Sequence, residues 1–200
     1  MSSTIGVQNI AHTNGTNAMT VASDGVVTAS QLVLAKLAMT SDQNNLTEES
    51  YNKVKLDVAV IDTKSGFNNS NDTYVIPIAG FYRIYFQAHI GVIGGSGSTR
   101  DSAVCITRTR SSTETQLAFT HHRHHNGSTD TTDVTENVYT IDQCEVGDII
   151  TFYTYLNSDD GTAYDVYADV DASTEVHMNS GLPGNGNGED TSTYAIIERM

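Results

Sequence analysis

The run Tyr74-Val-Ile-Pro-Ile-Ala-Gly-Phe-Tyr-Arg-Ile-Tyr-Phe-Gln-Ala-His-Ile90 is the densest apolar stretch of an otherwise polar chain, and it holds one of only two prolines. From Tyr82 it alternates. Tyr82, Ile84, Phe86, Ala88 and Ile90 fall on one face, and Arg83, Tyr85, Gln87 and His89 on the other. A period of two sustained this long reads as a half-buried strand. Pro77 has no N–H to give to a ladder, so Pro77 and Gly80 mark a turn that precedes the strand.

Outward from this run the strand signals recur. On the N-terminal side Val54–Ile61 alternates through Val54, Leu56, Val58 and Val60. On the C-terminal side a Gly/Ser loop at 94–99 is followed by a strand pair, Ala103–Arg108 and Gln116–His122, and a short segment at Val138–Asp142. Ile149–Leu156 alternates strongly, Ala163–Val170 and Thr174–Met178 read as two further strands, and Thr193–Ile197 closes the chain. Many short strands with no crossover helices predict an all-β fold, an antiparallel sandwich or jelly roll.

The first 50 residues read differently. Residues 1–28 are β-like triplets punctuated by Asn-Gly and Asp-Gly turn signals, with too few apolar side chains to fold alone. They are expected to gain order by pairing, either with their own copies or with a neighbouring protein. Residues 29–39 hold good helix formers behind the caps Thr28 or Ser30 and predict one short helix, although Leu32 and Leu34 also alternate. The polar stretch 40–50 reads as a linker. The expected division is an attachment arm and linker over 1–50 and a head over 51–200.

Composition narrows the function classes. The net charge is −14, from 24 acidic against 10 basic residues. Nucleic acid and anionic membrane would be repelled, so neither is an expected partner. No stretch has the ~20 apolar residues of a membrane-spanning helix. The N-terminus lacks the basic and apolar regions of a signal peptide, which predicts synthesis in a cytoplasm without signal-directed export. Cys105 and Cys144 sit in strand-like surroundings without metal-ligand spacing and are expected as small buried thiols.

Three landmarks in order resemble the jelly-roll head of the complement subcomponent q and tumour-necrosis-factor-like superfamily. The first is Phe67-Asn68 with Pro77, Gly80, Tyr82, Ile84 and Phe86 of the opening run. The second is Cys144-Glu-Val-Gly-Asp-Ile-Ile-Thr-Phe152, with Gly147 and Asp148 at its turn. The third is the closing Ser192-Thr-Tyr-Ala-Ile-Ile197. Together they span residues 51–200. Ile84 stands where the family carries an aromatic, Cys144 where it carries leucine, and no glycine follows Ala195. The resemblance implies a homotrimer that buries aromatic side chains near a three-fold axis. Phe81, Tyr85, Tyr153 and Tyr155 are the outward residues it nominates for that interface.

The leader Gln8-Asn-Ile-Ala-His-Thr-Asn-Gly-Thr-Asn-Ala-Met-Thr-Val21, followed by Ser23-Asp-Gly25, resembles that of tail-fibre and virion-surface proteins of marine tailed bacteriophages. It implies a virion structural protein on the particle surface, docked to a capsid or tail protein through residues 1–28. The head would then act as a short tail or head fibre that binds host-surface ligands, glycans above all. The alternative is a capsid decoration protein at three-fold positions. The loops 94–99, 121–130 and 157–165 are the expected recognition elements.

Chemistry-bearing clusters are few. His121, His122, His124 and His125 surround a strand end, with His122 and His124 on one face and His121 and His125 on the other. Imidazoles so placed could hold a divalent cation, although no cysteine completes a zinc pattern. Asp159, Asp160, Asp165, Asp169 and Asp171 are acidic without the spacing of a calcium loop. No nucleophile elbow, zinc-protease motif or phosphate loop occurs. The chain is therefore expected not to be an enzyme and to need no cofactor. A carbohydrate-active enzyme is the remote alternative, since a carboxylate pair distant in sequence leaves no motif.

Overall fold

The computed structural model describes residues 9–11, 17–29, 31–91, 99–125, 134–158, 163–168 and 193–200. The described chain is built of strands, with no helix among them. The N-terminal group is β1 (Asn9–Ala11), β2 (Asn17–Val21), β3 (Val27–Ala29), β4 (Leu34–Ala38), β5 (Gln43–Leu46) and β6 (Asn52–Lys53). Next come β7 (Val58–Asp62), β8 (Phe67–Asn68), β9 (Thr73–Val75), β10 (Gly80–Gly91) and β11 (Thr99–Arg110). The chain ends with β12 (Thr113–His125), β13 (Val134–Cys144), β14 (Ile149–Ser158), β15 (Tyr164–Tyr167) and β16 (Tyr194–Arg199).

Two antiparallel sheets form the sandwich. The seven-stranded sheet runs β5-β15-β10-β16-β4-β7, with β13 on the other edge of β10. The six-stranded sheet runs β12-β11-β14-β9-β8, with β6 also on β14. β10 is the strand from which the first sheet is built. Tyr82, Ile84, Phe86, Ala88 and Ile90 are all fully buried, as the alternation predicted. They face Val104, Ile106, Ile150, Phe152 and Leu156 of the other sheet within a single core. Phe86 and Phe152 meet across it with ring centroids 5.0 Å apart.

The turn before β10 is pinned from outside. Ile76 N–H donates to Asp148 O at 2.8 Å, and Gly147 N–H returns a bond to Ile76 O at 2.9 Å. Pro77 follows Ile76, where no donor is needed. Gly147 has φ of +88°, which an L side chain adopts only with strain. At Gly80 a Cβ would stand 2.6 Å from Arg199 Nε, so the glycine leaves room for Arg199 to bond Ala79 O at 3.1 Å.

The expected helix over 29–39 is instead strand β4, hydrogen-bonded between β16 and β7. Val33, Ala35, Leu37 and Met39 alternate into the core, while Leu32 is exposed and Leu34 half-buried. Helix propensities separate these residues by only a few tenths of a kcal/mol each, too little to compete with two ladders and a buried face. The expected linker 40–50 also contributes structure, because β5 pairs with β15 and buries Leu46. The sandwich therefore begins near Val33 rather than at Tyr51.

Ahead of it, β1-β2-β3 form a separate three-stranded sheet. Ile10 lies opposite Met19, Met19 opposite Ala29, and Val21 opposite Val27. Directly opposed residues share a face. One face of this small sheet is therefore apolar, and Asn9 and Thr20 sit on the other. Ile10, Met19 and Val27 are exposed.

Candidate interaction surfaces

Among the described residues, the outward faces of the two sheets carry the surface chemistry. On the seven-stranded sheet the residues of β10 that point away from the core are Phe81, Arg83, Tyr85 and Gln87. Tyr85 lies between Tyr139 on β13 and Ile196 on β16, and Arg83 between Ile141 and Glu198. Phe81 is 57% exposed, Tyr139 70% and Ile141 54%. Side chains of this size standing together in water mark an interaction site on a folded chain. Around them the polar groups are already engaged. Arg83 pairs with Glu198, Tyr85 Oη donates to Gln87 Oε1 at 2.8 Å, and Lys36 stands over the Tyr194 ring at 5.4 Å. Burial, with Tyr194 alongside, pushes the Tyr85 hydroxyl up to about 12.

Tyr153 and Tyr155 lie elsewhere. They are on the outer face of the six-stranded sheet, so the structure does not bring the four nominated aromatics together. Phe81 and Tyr85 share one face of the sandwich, and Tyr153 and Tyr155 share the opposite one. Tyr139 and Ile141 fall within the expected strand Val138–Asp142, but that five-residue segment does not show which of its faces is inward; β13 runs over Val134–Cys144. Their alternation with the inward Glu136 and Val138 was the available signal.

Across the six-stranded sheet, Cys105 is flanked by Phe119 and Tyr153, and Ala103 by His121 and Tyr155. Tyr51 packs on Tyr155 with centroids 5.2 Å apart. The rings of Phe119 and His121 are within 7° of parallel at 6.2 Å. Glu114 Oε1 accepts from Tyr153 Oη at 3.0 Å and from Thr107 Oγ1 at 2.7 Å.

The histidines separate by parity. His121 lies outward, 3.4 Å from Asp101 Oδ1. His122 turns the other way, its Nδ1 2.5 Å from Glu136 Oε2. The buried Glu136 also accepts from Ser102 Oγ at 2.6 Å, tying β11, β12 and β13 together where the two sheets meet. Here the carboxylate stands between serine and imidazole. A nucleophile relay would place the imidazole between the other two. The side chains of His124 and His125 lie outside the described residues, as do Asp159, Asp160, Asp169, Asp171 and the loop 94–98. Among the described residues no three His, Cys, Asp or Glu side chains come together as a metal site. Asp165 is occupied by accepting from Asn45 N–H at 2.7 Å.

No family model and no curated protein matches the chain. Solved structures do. The fold is a tumour-necrosis-factor-like jelly roll. The Eiger TNF from S. frugiperda superposes with a TM-score of 0.55 at 7% identity, covering 84% of this chain and 92% of the other. Murine APRIL at pH 5.0 superposes with a TM-score of 0.51 at 12% identity, covering 85% of this chain and 100% of the other.

Proposed function

We propose that this protein is a homotrimeric, non-enzymatic head that binds a ligand, carried on the surface of a bacteriophage virion as a short fibre. The observation that carries self-association is the apolar group Phe81, Tyr139 and Ile141 on the seven-stranded sheet, too exposed to be part of a monomer's own core. Joining these faces about a three-fold axis removes them from water and leaves the six-stranded sheets turned outward. The TNF-like neighbours share the architecture that such an arrangement needs.

The arm supports the virion part of the reading. Its leader string resembles phage fibre proteins, and its β1-β2-β3 sheet presents an apolar face with no core of its own. Strands this short need a further surface to be stable, and a capsid or tail protein would supply one. Light scattering on the full chain tests the trimer: the expected mass is three times the 21.6 kDa of one chain. Immunogold labelling of particles with antiserum against the head tests the location, and unlabelled virions would overturn it.

A further inference from the structure

We infer that the outer face of the six-stranded sheet, around Tyr51, Phe119, Tyr153 and Tyr155, is a binding platform for neutral oligosaccharides. This rests on the reading above of a ligand-binding head whose other sheet faces inward. The central strand of the platform, β11, presents only small side chains here. Ala103 and Cys105 point outward by parity yet are buried, because the rings of the flanking strands lie across them. The result is a group of aromatic rings around small residues, with Tyr51 and Tyr155 tilted 40° to each other. Tyr51 is 53% exposed and Phe119 41%, so their rings remain open to a ligand.

The chemistry of this face differs from that of the seven-stranded sheet. It carries three tyrosines, one phenylalanine and one histidine, with no exposed aliphatic side chain among them. Such rings offer an apolar surface together with hydroxyl and imidazole groups, which suits a partner that is itself apolar on its faces and polar around its edge. A pyranose ring has that form: C–H groups above and below, hydroxyls at the rim. Groups that bond hydroxyls stand at both ends of the platform. Glu114 borders Tyr153 at one end. At the other, Arg123 holds Asp101 through Nε and Nη2, at 2.7 and 3.0 Å, beside His121.

Charge selects an uncharged ligand. The chain carries −14 overall, which repels polyanions. Within the platform Asp101 is neutralised by Arg123, and Lys53, opposite Tyr153 in the ladder, places its ammonium on the Asn71 carbonyl.

The test is calorimetric titration of the full-length protein with cellohexaose, maltohexaose and the hexamer of N-acetylglucosamine. At least one is expected to bind with a Kd of about 1 mM or tighter. Tyr51→Ala and Phe119→Ala should each weaken it at least tenfold. Val146→Ser, an exposed change in the β13–β14 turn, should not. Both platform residues are exposed, so the variants are expected to fold, and circular dichroism checks this. Failure of all three sugars to bind, or binding unchanged in both variants, overturns the inference. A fall in oligomeric mass in the variants would also overturn it, making the face an interface between copies. Binding of a proline-rich peptide in place of any sugar would do the same. A trimer that binds no sugar sinks this inference alone, and a monomer that binds one sinks only the trimer.

Discussion

Arg110 holds Asp148 through two hydrogen bonds, Nε to Oδ1 at 2.8 Å and Nη2 to Oδ2 at 2.6 Å. The pair anchors the turn that docks on Ile76 ahead of β10. Asp148 also accepts from Glu145 N–H at 2.8 Å, closing the turn through Gly147. Its carboxylate is almost fully buried, while Arg110 remains partly in water.

Asp148→Asn should therefore destabilise the fold. Removing one partner leaves the other without its counter-charge, and the partial exposure of Arg110 moderates the loss. The pH dependence has a definite sign. The Arg110 hydrogen bonds hold the Asp148 carboxyl below its ordinary value, outweighing desolvation, with help from the Glu145 N–H. A depressed folded value means that the contribution is fully present above about pH 4 and is lost as pH falls further. Thermal midpoints for wild type and Asp148→Asn should lie well apart at pH 7 and converge below about pH 4. A separation that does not change with pH would count against this.

Ile141→Asp should dissociate the proposed trimer while leaving the fold intact. Ile141 points out of the sandwich, so the substitution disturbs no core contact. In an assembled seam, by contrast, it would bury an unpaired carboxylate, at a cost of several kcal/mol. Light scattering should report the mass of one chain, with the far-ultraviolet dichroism unchanged. A mass still threefold would move the seam away from this face.

A head expressed from Tyr51 should fail to fold, and one expressed from Gln31 should succeed. Starting at Tyr51 deletes β4 and β5. That leaves β16 and β7 without the strand between them and opens the core where Val33, Ala35, Leu37 and Met39 belong. Starting at Gln31 keeps these, together with the Gln31 carbonyl that Arg199 bonds. Soluble yield and a cooperative melting transition distinguish the two. A cooperative transition in the shorter chain would show that β4 is dispensable.

How much of this was legible in the residues follows from how locally each feature is encoded. β10 could be read because its apolar alternation is unbroken and both of its faces are distinct. The turn at Gly147 and Asp148 was legible for a similar reason: its glycine and its carboxylate are both required within four residues. β4 was not, because Leu, Ala, Lys and Met are good helix formers and its inward set is offset by one from the leucines that drew attention. Register between distant strands was equally hidden. Phe81 with Tyr139 and Ile141, and Tyr51 with Tyr155, are brought together only by pairing across many residues of chain. Both candidate faces were therefore read as single aromatics rather than as surfaces.

Both cysteines should be inert in the native protein. Burial pushes the Cys105 thiol up to about 11, with Glu114 adding to it, and pushes Cys144 to about 11, with Asp142 and Asp148 adding to it. The thiolate is the reactive form, so at pH 8 very little of either thiol can attack a disulfide reagent, and access is closed as well. Ellman's reagent should thus release no colour from the folded chain over minutes and two equivalents once guanidinium unfolds it, matching the two cysteines of the sequence. The two sites are also distinguishable. Cys144 belongs to the core between the sheets, whereas Cys105 lies on the six-stranded sheet flanked by Phe119 and Tyr153. Phe119→Ala should therefore open Cys105 to the reagent in the native state, and one equivalent should react. No release in that variant would mean that Tyr51 and Tyr153 alone suffice to cover the thiol.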